Sequence, residues 1–296
     1  MISFCTTSAL AQYSETISSG RPGQAITPTT VGKKIFQLET GIALGGYEGD
    51  ILLHKGQSYT ISTLFRFGLT ETFEINTGWD LRSVRINMPD DSVFSFNSWN
   101  FSKLGEKYRN MLDSTINIGG LNLSTLGMRY NIIEGKGIVP AVGFQFTIKL
   151  NILNGDYNPD NIAPQFLLVT SQNLSERFSL TANLGADWSG NSASPTGIYV
   201  VNLAFSFFEK WGGFIENYGS FDDKTFDTKF DAGIAYLVNN NLQLDLLGGA
   251  GKNNDLFDYF ISIGISWMKN ISKKNNYRKL PLITFYLIRY IIYYRR

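Results

Sequence analysis

The chain has 296 residues, of which 17% are charged and 14% aromatic, with a formal net charge of +1 at pH 7. Soluble proteins average near 25% charged residues, so this composition disfavours a disordered chain, a coiled coil and a helix-rich soluble enzyme. Mean hydropathy is −0.08 and no apolar run reaches the length of a spanning helix, which excludes a helical membrane bundle but not a strand-built one.

The first segment reads as the end of a secretory signal. Ser8-Ala9-Leu10-Ala11 before Gln12 places small residues at the −3 and −1 positions of a cleavage site. Residues 1–11 are therefore expected to be a residual signal peptide, with its basic start upstream of Met1. Cys5 falls within it and, as the single cysteine of the sequence, cannot form an internal disulfide. Residues 12–33 are expected to form a periplasmic N-terminal segment.

From residue 34 the period is two. Phe36, Leu38, Ile42 and Leu44 oppose Gln37, Glu39, Ala43 and Gly45. Tyr59, Ile61, Phe65, Phe67 and Leu69 oppose Ser58, Thr60, Ser62, Arg66 and Gly68. Phe73, Ile75, Trp79 and Leu81 oppose Glu74, Asn76, Gly78, Asp80 and Arg82. The same split recurs around Val142–Ile148, Phe178–Trp188, Tyr199–Phe207, Phe230–Tyr236 and Tyr259–Trp267, with weaker spans at Leu121–Asn131, Pro164–Gln172, Phe214–Ser220 and Leu242–Gly249. Strict alternation marks strands with two unlike faces. Twelve spans of about 9–11 residues match tilted bilayer crossings, and the links between them roughly alternate between long and short, as in outer-membrane barrels. A soluble sandwich would carry abundant Lys, Glu and Arg on its exposed face; here the polar face is mostly Ser, Thr, Asn, Gln and Gly. Tyr59, Trp79, Trp188, Tyr236 and Trp267 suit aromatic girdles at the membrane interfaces. The expected fold is an all-β transmembrane, antiparallel up-and-down β-barrel over residues 34–268, with 83–120 as a long extracellular loop or plug.

Several stretches resemble a known family. They are Arg21-Pro22, Phe36-Gln37-Leu38-Glu39-Thr40-Gly41, Leu64 to Thr70 with Phe73-Glu74, Ala163-Pro164, Leu184 to Trp188, Pro195-Thr196-Gly197, and Phe260 to Trp267. In order and spacing they resemble the outer-membrane transporter barrels grouped as "MetA-pathway of phenol degradation", in the version found in Bacteroidota-type bacteria. The resemblance implies a Gram-negative outer-membrane barrel with a transport role. The chain departs from the family at Gly20, where an acidic residue usually precedes the Arg-Pro step, and in continuing well past the final aromatic strand.

The polar face supplies the candidate lumen-lining residues Glu39, Arg66, Glu74, Asp80, Arg82, Lys149, Asp187, Lys229, Asp231 and Asp245. Such groups either pair across strands and stiffen the wall or line a solute path; Arg66 with Glu74 or Asp80 is the favoured pair. A catalytic reading lacks parts. His54 is the single histidine, and its spacing to Ser58 does not make a nucleophile–base pair. No metal, cofactor or nucleic-acid site is expected, so the chain is read as a non-enzyme. Its expected partners are outer-membrane lipid and a small-molecule solute. The tail 269–296 is basic, with eight Lys or Arg and no acid, and suits a lipid surface. The expected function is a channel or transporter for small solutes, hydrophobic or aromatic ones among them. The alternative is a structural, adhesive or secretion-accessory barrel.

Overall fold

A computed structural model describes residues 16–49, 55–87, 116–152, 159–253 and 256–272. Residues 1–11, His54, the middle of the expected 83–120 loop and most of the tail lie outside these residues. The described chain contains twelve strands: β1 (Ile35–Gly49), β2 (Lys55–Gly68), β3 (Phe73–Asn87), β4 (Ile116–Ile133), β5 (Ala141–Lys149), β6 (Ala163–Asn173), β7 (Phe178–Asp187), β8 (Thr196–Phe208), β9 (Trp211–Phe221), β10 (Phe226–Asn239), β11 (Leu242–Asn253) and β12 (Leu256–Asn270). Each pairs antiparallel with its neighbours in sequence, and β1 closes on β12 with Gly41 opposite Gly264. Closure leaves no open sheet edge, the condition for a strand protein to cross hydrocarbon. The expected all-β barrel is the observed fold.

The alternation becomes an inside and an outside. Leu44, Leu184, Phe230, Ile261 and Ile263 are 54–62% exposed on the outer face, while Gln37, Glu39, Arg66, Glu74 and Ser266 on the inner face are at most 2% exposed. An apolar belt around the whole wall is far larger than a soluble protein tolerates. It faces lipid, and the molecule is a membrane-spanning β-barrel. Aromatic clusters mark both rims. Phe36 lies 6.4 Å from Trp267 and Trp211 4.7 Å from Tyr236 at the end where β1 begins and β12 finishes. Tyr199 stacks on Phe226 at 5.7 Å, and Phe166 meets Trp188 edge-on at 6.0 Å, at the other end. Trp79, expected in a girdle, sits midway along β3, because that strand continues to Asn87.

Three boundaries differ from the sequence reading. β3 and β4 both reach into the expected 83–120 insertion. The period hides this: Val84 turns inward and is buried, while Arg85 takes the outer face. β12 runs to Asn270, with Lys269 opposite Phe36 and the Ile271 N–H donating to Lys34 O. The inward Met268 breaks the pattern there, since it packs with Ile17, Val31 and Ile35 in a small apolar cluster at the terminal rim. The largest difference concerns residues 16–34. They do not hang below the barrel as a periplasmic segment. They run inside it.

Candidate functional site: a plugged lumen

The N-terminal segment has no period and forms no strand, so its backbone groups must find partners on the wall. They find inward side chains of strands far apart in sequence. Glu39 on β1 accepts from Gly20 N at 3.1 Å. Glu216 on β9 accepts from Gln24 N at 2.7 Å and Ala25 N at 2.9 Å. Asn183 on β7 pairs with both backbone groups of Ile26, at 2.7 Å each. Glu74 on β3 accepts from Val31 N at 2.9 Å. Ser19 Oγ and Ser266 Oγ on β12 are 2.7 Å apart. The chain then leaves the lumen through Gly32, at φ 86°, and Lys34, at φ 59°. Gly68 stands where a Cβ would strike the Gly32 carbonyl, so this close backbone approach requires glycine.

Beneath these contacts lies a buried charge lattice. Arg66 Nε and Nη2 each donate to a Glu74 oxygen at 2.9 Å, and Nη1 donates to Glu39 Oε1 at 3.0 Å. Arg66 also donates to the carbonyls of Ser18 and Thr29, at 3.1 and 3.4 Å. Arg129 lies 3.8 Å from Glu74, and donates to Gln145 and to Thr29 O. Two arginines and two glutamates thus balance, with every charge paired and the plug's carbonyls taking spare donors. Such a network adds little net stability but fixes one geometry.

Arg21 is a separate latch. Its Nη2 donates to Asp245 Oδ1 at 2.9 Å and to Ser262 Oγ at 3.2 Å, and its Nε to Asp245 Oδ2 at 3.3 Å. Gly41, Gly264 and Asp245 lie side by side across β1, β12 and β11. A Cβ on either glycine would meet the Arg21 guanidinium. The two glycines make a flat seat for the cation and the aspartate closes it.

Nearer the long-loop end, Lys149 bridges to Asp187 at 2.6 Å and Lys229 pairs with Asp258. Asp80 and Arg82 follow each other along the inner face of β3, and Asp80 bonds Ser62, not Arg66. Asp231 is buried next to Glu216. Outside the wall, the Asp222 carboxyl is held below its usual range by the N–H groups of Lys224 and Thr225. Beside the plug, a cavity of about 460 Å³ opens between Ser19–Thr27 and the wall, lined by Ser179, Thr181, Asn202, Ala204 and Ser206 among others. Among the described residues no group of three or more His, Cys, Asp or Glu side chains converges on a metal position.

All ten candidate residues lie on inner faces, but in separate groups: Glu39, Arg66 and Glu74 in the lattice, Asp245 at the latch, Lys149 and Asp187 or Lys229 in pairs of their own. Sequence reasoning missed Arg21, Arg129, Glu216 and Asp258. Arg129 follows a register shift between β3 and β4 that blurs the period. Glu216 follows an inward Phe214 and an outward Ile215, apolar on both faces.

Comparison with known proteins follows the same outline. The family described as "Putative MetA-pathway of phenol degradation" matches residues 19–269, including the plug. The crystal structure of an outer membrane channel from Pseudomonas putida F1 is similar at a TM-score of 0.59 and 10% identity, covering 86% of this chain and 100% of its own. The CymD monoaromatic hydrocarbon channel aligns at a TM-score of 0.45 and 10% identity, over 81% of this chain and 89% of its own. No curated protein sequence matches the chain.

Proposed function

The chain belongs to the family described as "Putative MetA-pathway of phenol degradation", and from that premise we propose that it is an outer-membrane channel for small solutes, closed at its terminal mouth by its own N-terminal segment. The mouth where β1 begins and β12 ends faces the periplasm in this reading, as expected for an even number of strands. The observation that carries the reading is the plug itself. A barrel that served only as a wall or an adhesin would have no need of a lumen peptide held by hydrogen bonds on eight strands, with a cavity left beside it.

The cavity has ample room for a solute built on a single aromatic ring. Hydroxyl and amide side chains share its lining with Arg21, Glu176 and Arg177 and with small apolar residues, and Phe214 adds an aromatic face. That mixture suits a ring bearing a polar group, in keeping with the phenol pathway named in the family description. Passage then follows the β6–β10 side of the lumen, where Ala204, Gly212 and Ala235 keep the wall thin. The test is reconstitution of the whole protein in planar bilayers and in liposomes loaded to report phenol entry. Stepwise conductance with phenol uptake above that of protein-free liposomes supports the channel. A silent bilayer with background uptake supports the structural or accessory barrel.

A further inference from the structure

Among the described residues, the lumen charges named above balance except at one place. Glu39 and Glu74 are paired with Arg66 and Arg129, Asp245 with Arg21, Asp187 with Lys149 and Asp258 with Lys229. Asp80 has Arg82 two residues on. Glu216 and Asp231 are different. They are directly opposite on β9 and β10, on the same inner face, where side chains sit about 5 Å apart at Cβ. Glu216 has only neutral donors: Gln24 N, Ala25 N and Asn202 Nδ2, the last at 3.0 Å. Asp231 is 4% exposed and neither of its carboxylate oxygens has a partner.

Among the described residues, the surroundings offer no free cation. On its own strand Asp231 is flanked by Gly233 and by Lys229, which is committed to Asp258. From β9 it faces Phe214, Glu216 and Tyr218; from β11, Leu247 and Gly249; from β12, Phe260. Gly249 is its register partner, and a Cβ there would fall 2.6 Å from the Asp231 Cβ. Phe260 leans over the same glycine. Two adjacent carboxylates, one without any hydrogen bond, are costly to bury as a charged pair, and either a proton on one or a cation between them offsets that cost.

We propose that Glu216 and Asp231 form a cation site on the lumen wall, which takes a small inorganic cation such as K⁺ or Ca²⁺ and gives the channel a preference for cations. The ion is in transit, held by two carboxylates and water, not caged by a full ligand set. Because Glu216 also holds the Gln24–Ala25 turn of the plug, an ion at the site sits at the plug's edge. The ion preference rests on the channel reading; the binding does not.

Two measurements on the full-length protein separate them. In planar bilayers across a KCl gradient, the reversal potential gives the K⁺ to Cl⁻ permeability ratio. The wild-type ratio exceeds one; Asp231→Asn lowers it several-fold, and Asp222→Asn, in an exposed turn, leaves it unchanged. In detergent, millimolar CaCl₂ raises the thermal midpoint of the wild type relative to choline chloride of equal ionic strength, as binding to the folded state must, and does not raise that of Asp231→Asn. A conducting wild type with the same ratio as Asp231→Asn overturns the proposal, as does an equal calcium shift in both proteins. A silent bilayer with the calcium difference intact counts against the channel reading alone.

Discussion

Replacing Arg21 by Met removes the latch cation and keeps most of the side-chain volume over Gly41 and Gly264. The Asp245 side chain is wholly buried, and Arg21 is 16% exposed. Breaking a buried ion pair by removing one partner costs about 3–5 kcal/mol. The partial exposure of Arg21 lets water reach the site and lowers this to roughly 2–3 kcal/mol, the worth of one or two charge-assisted hydrogen bonds. The wall has its own strand pairing, so the loss falls on the plug and not on the barrel. At 1.4 kcal/mol per factor of ten, the released plug becomes on the order of 10² more populated, subject to its other anchors. Subtilisin clipping within residues 19–31 of the detergent-solubilised protein reads that population, since cleavage follows the open fraction when reclosing is fast. The clipping rate should rise accordingly for Arg21→Met and for Asp245→Asn, and the double variant should show far less than the sum. Independent, additive effects of the two substitutions, or no change in either, would refute the latch.

Arg66→Met leaves Glu39 and Glu74 buried with Arg129 alone to balance them, so heat-modified gel migration should show the barrel melting at a lower temperature, at a cost of about 3–5 kcal/mol; an unchanged midpoint would mean the lattice is dispensable. Leu81→Arg puts a charge on the lipid face, at about 2–4 kcal/mol near the midplane, and should reduce the folded yield in membranes. Arg82→Glu, on the inner face, should assemble normally and change ion preference; equal damage by both would show that the two faces are misassigned. Thiol labelling of intact cells should reach a cysteine at Asp223 and miss one at Asn240, and the reverse pattern would invert the orientation.

The wall is legible in the sequence because each strand carries its own evidence. Phe73, Ile75, Trp79 and Leu81 against Glu74, Asn76, Gly78 and Asp80 can be sorted without knowing any other strand. The lumen plug has no such local code. Its Ser, Gly, Pro and Thr residues show no period, and its contacts span up to hundreds of residues: Gly20 reaches Glu39 nearby, but Gln24 reaches Glu216 on β9. The resemblance marks Arg21-Pro22 as a feature and says nothing of the Asp245 it meets. Candidate charges were visible wherever the period was clean, as at Arg66 and Glu74, and their pairing followed from adjacency on β2 and β3. Glu216 and Arg129 were hidden by apolar residues on both faces and by a register shift.

The central claim is that residues 16–34 occupy the lumen of the folded barrel, and one pair of positions tests it directly. Ser19 and Ser266 have their hydroxyls 2.7 Å apart, one on the plug and one on β12. In a Cys5→Ser background, Ser19→Cys with Ser266→Cys should form a disulfide under mild oxidation in outer-membrane vesicles, seen as an altered gel mobility that reductant reverses and as loss of both free thiols. If both thiols stay free and react with a bulky maleimide while the barrel is folded, the segment lies outside the lumen and the plug does not exist.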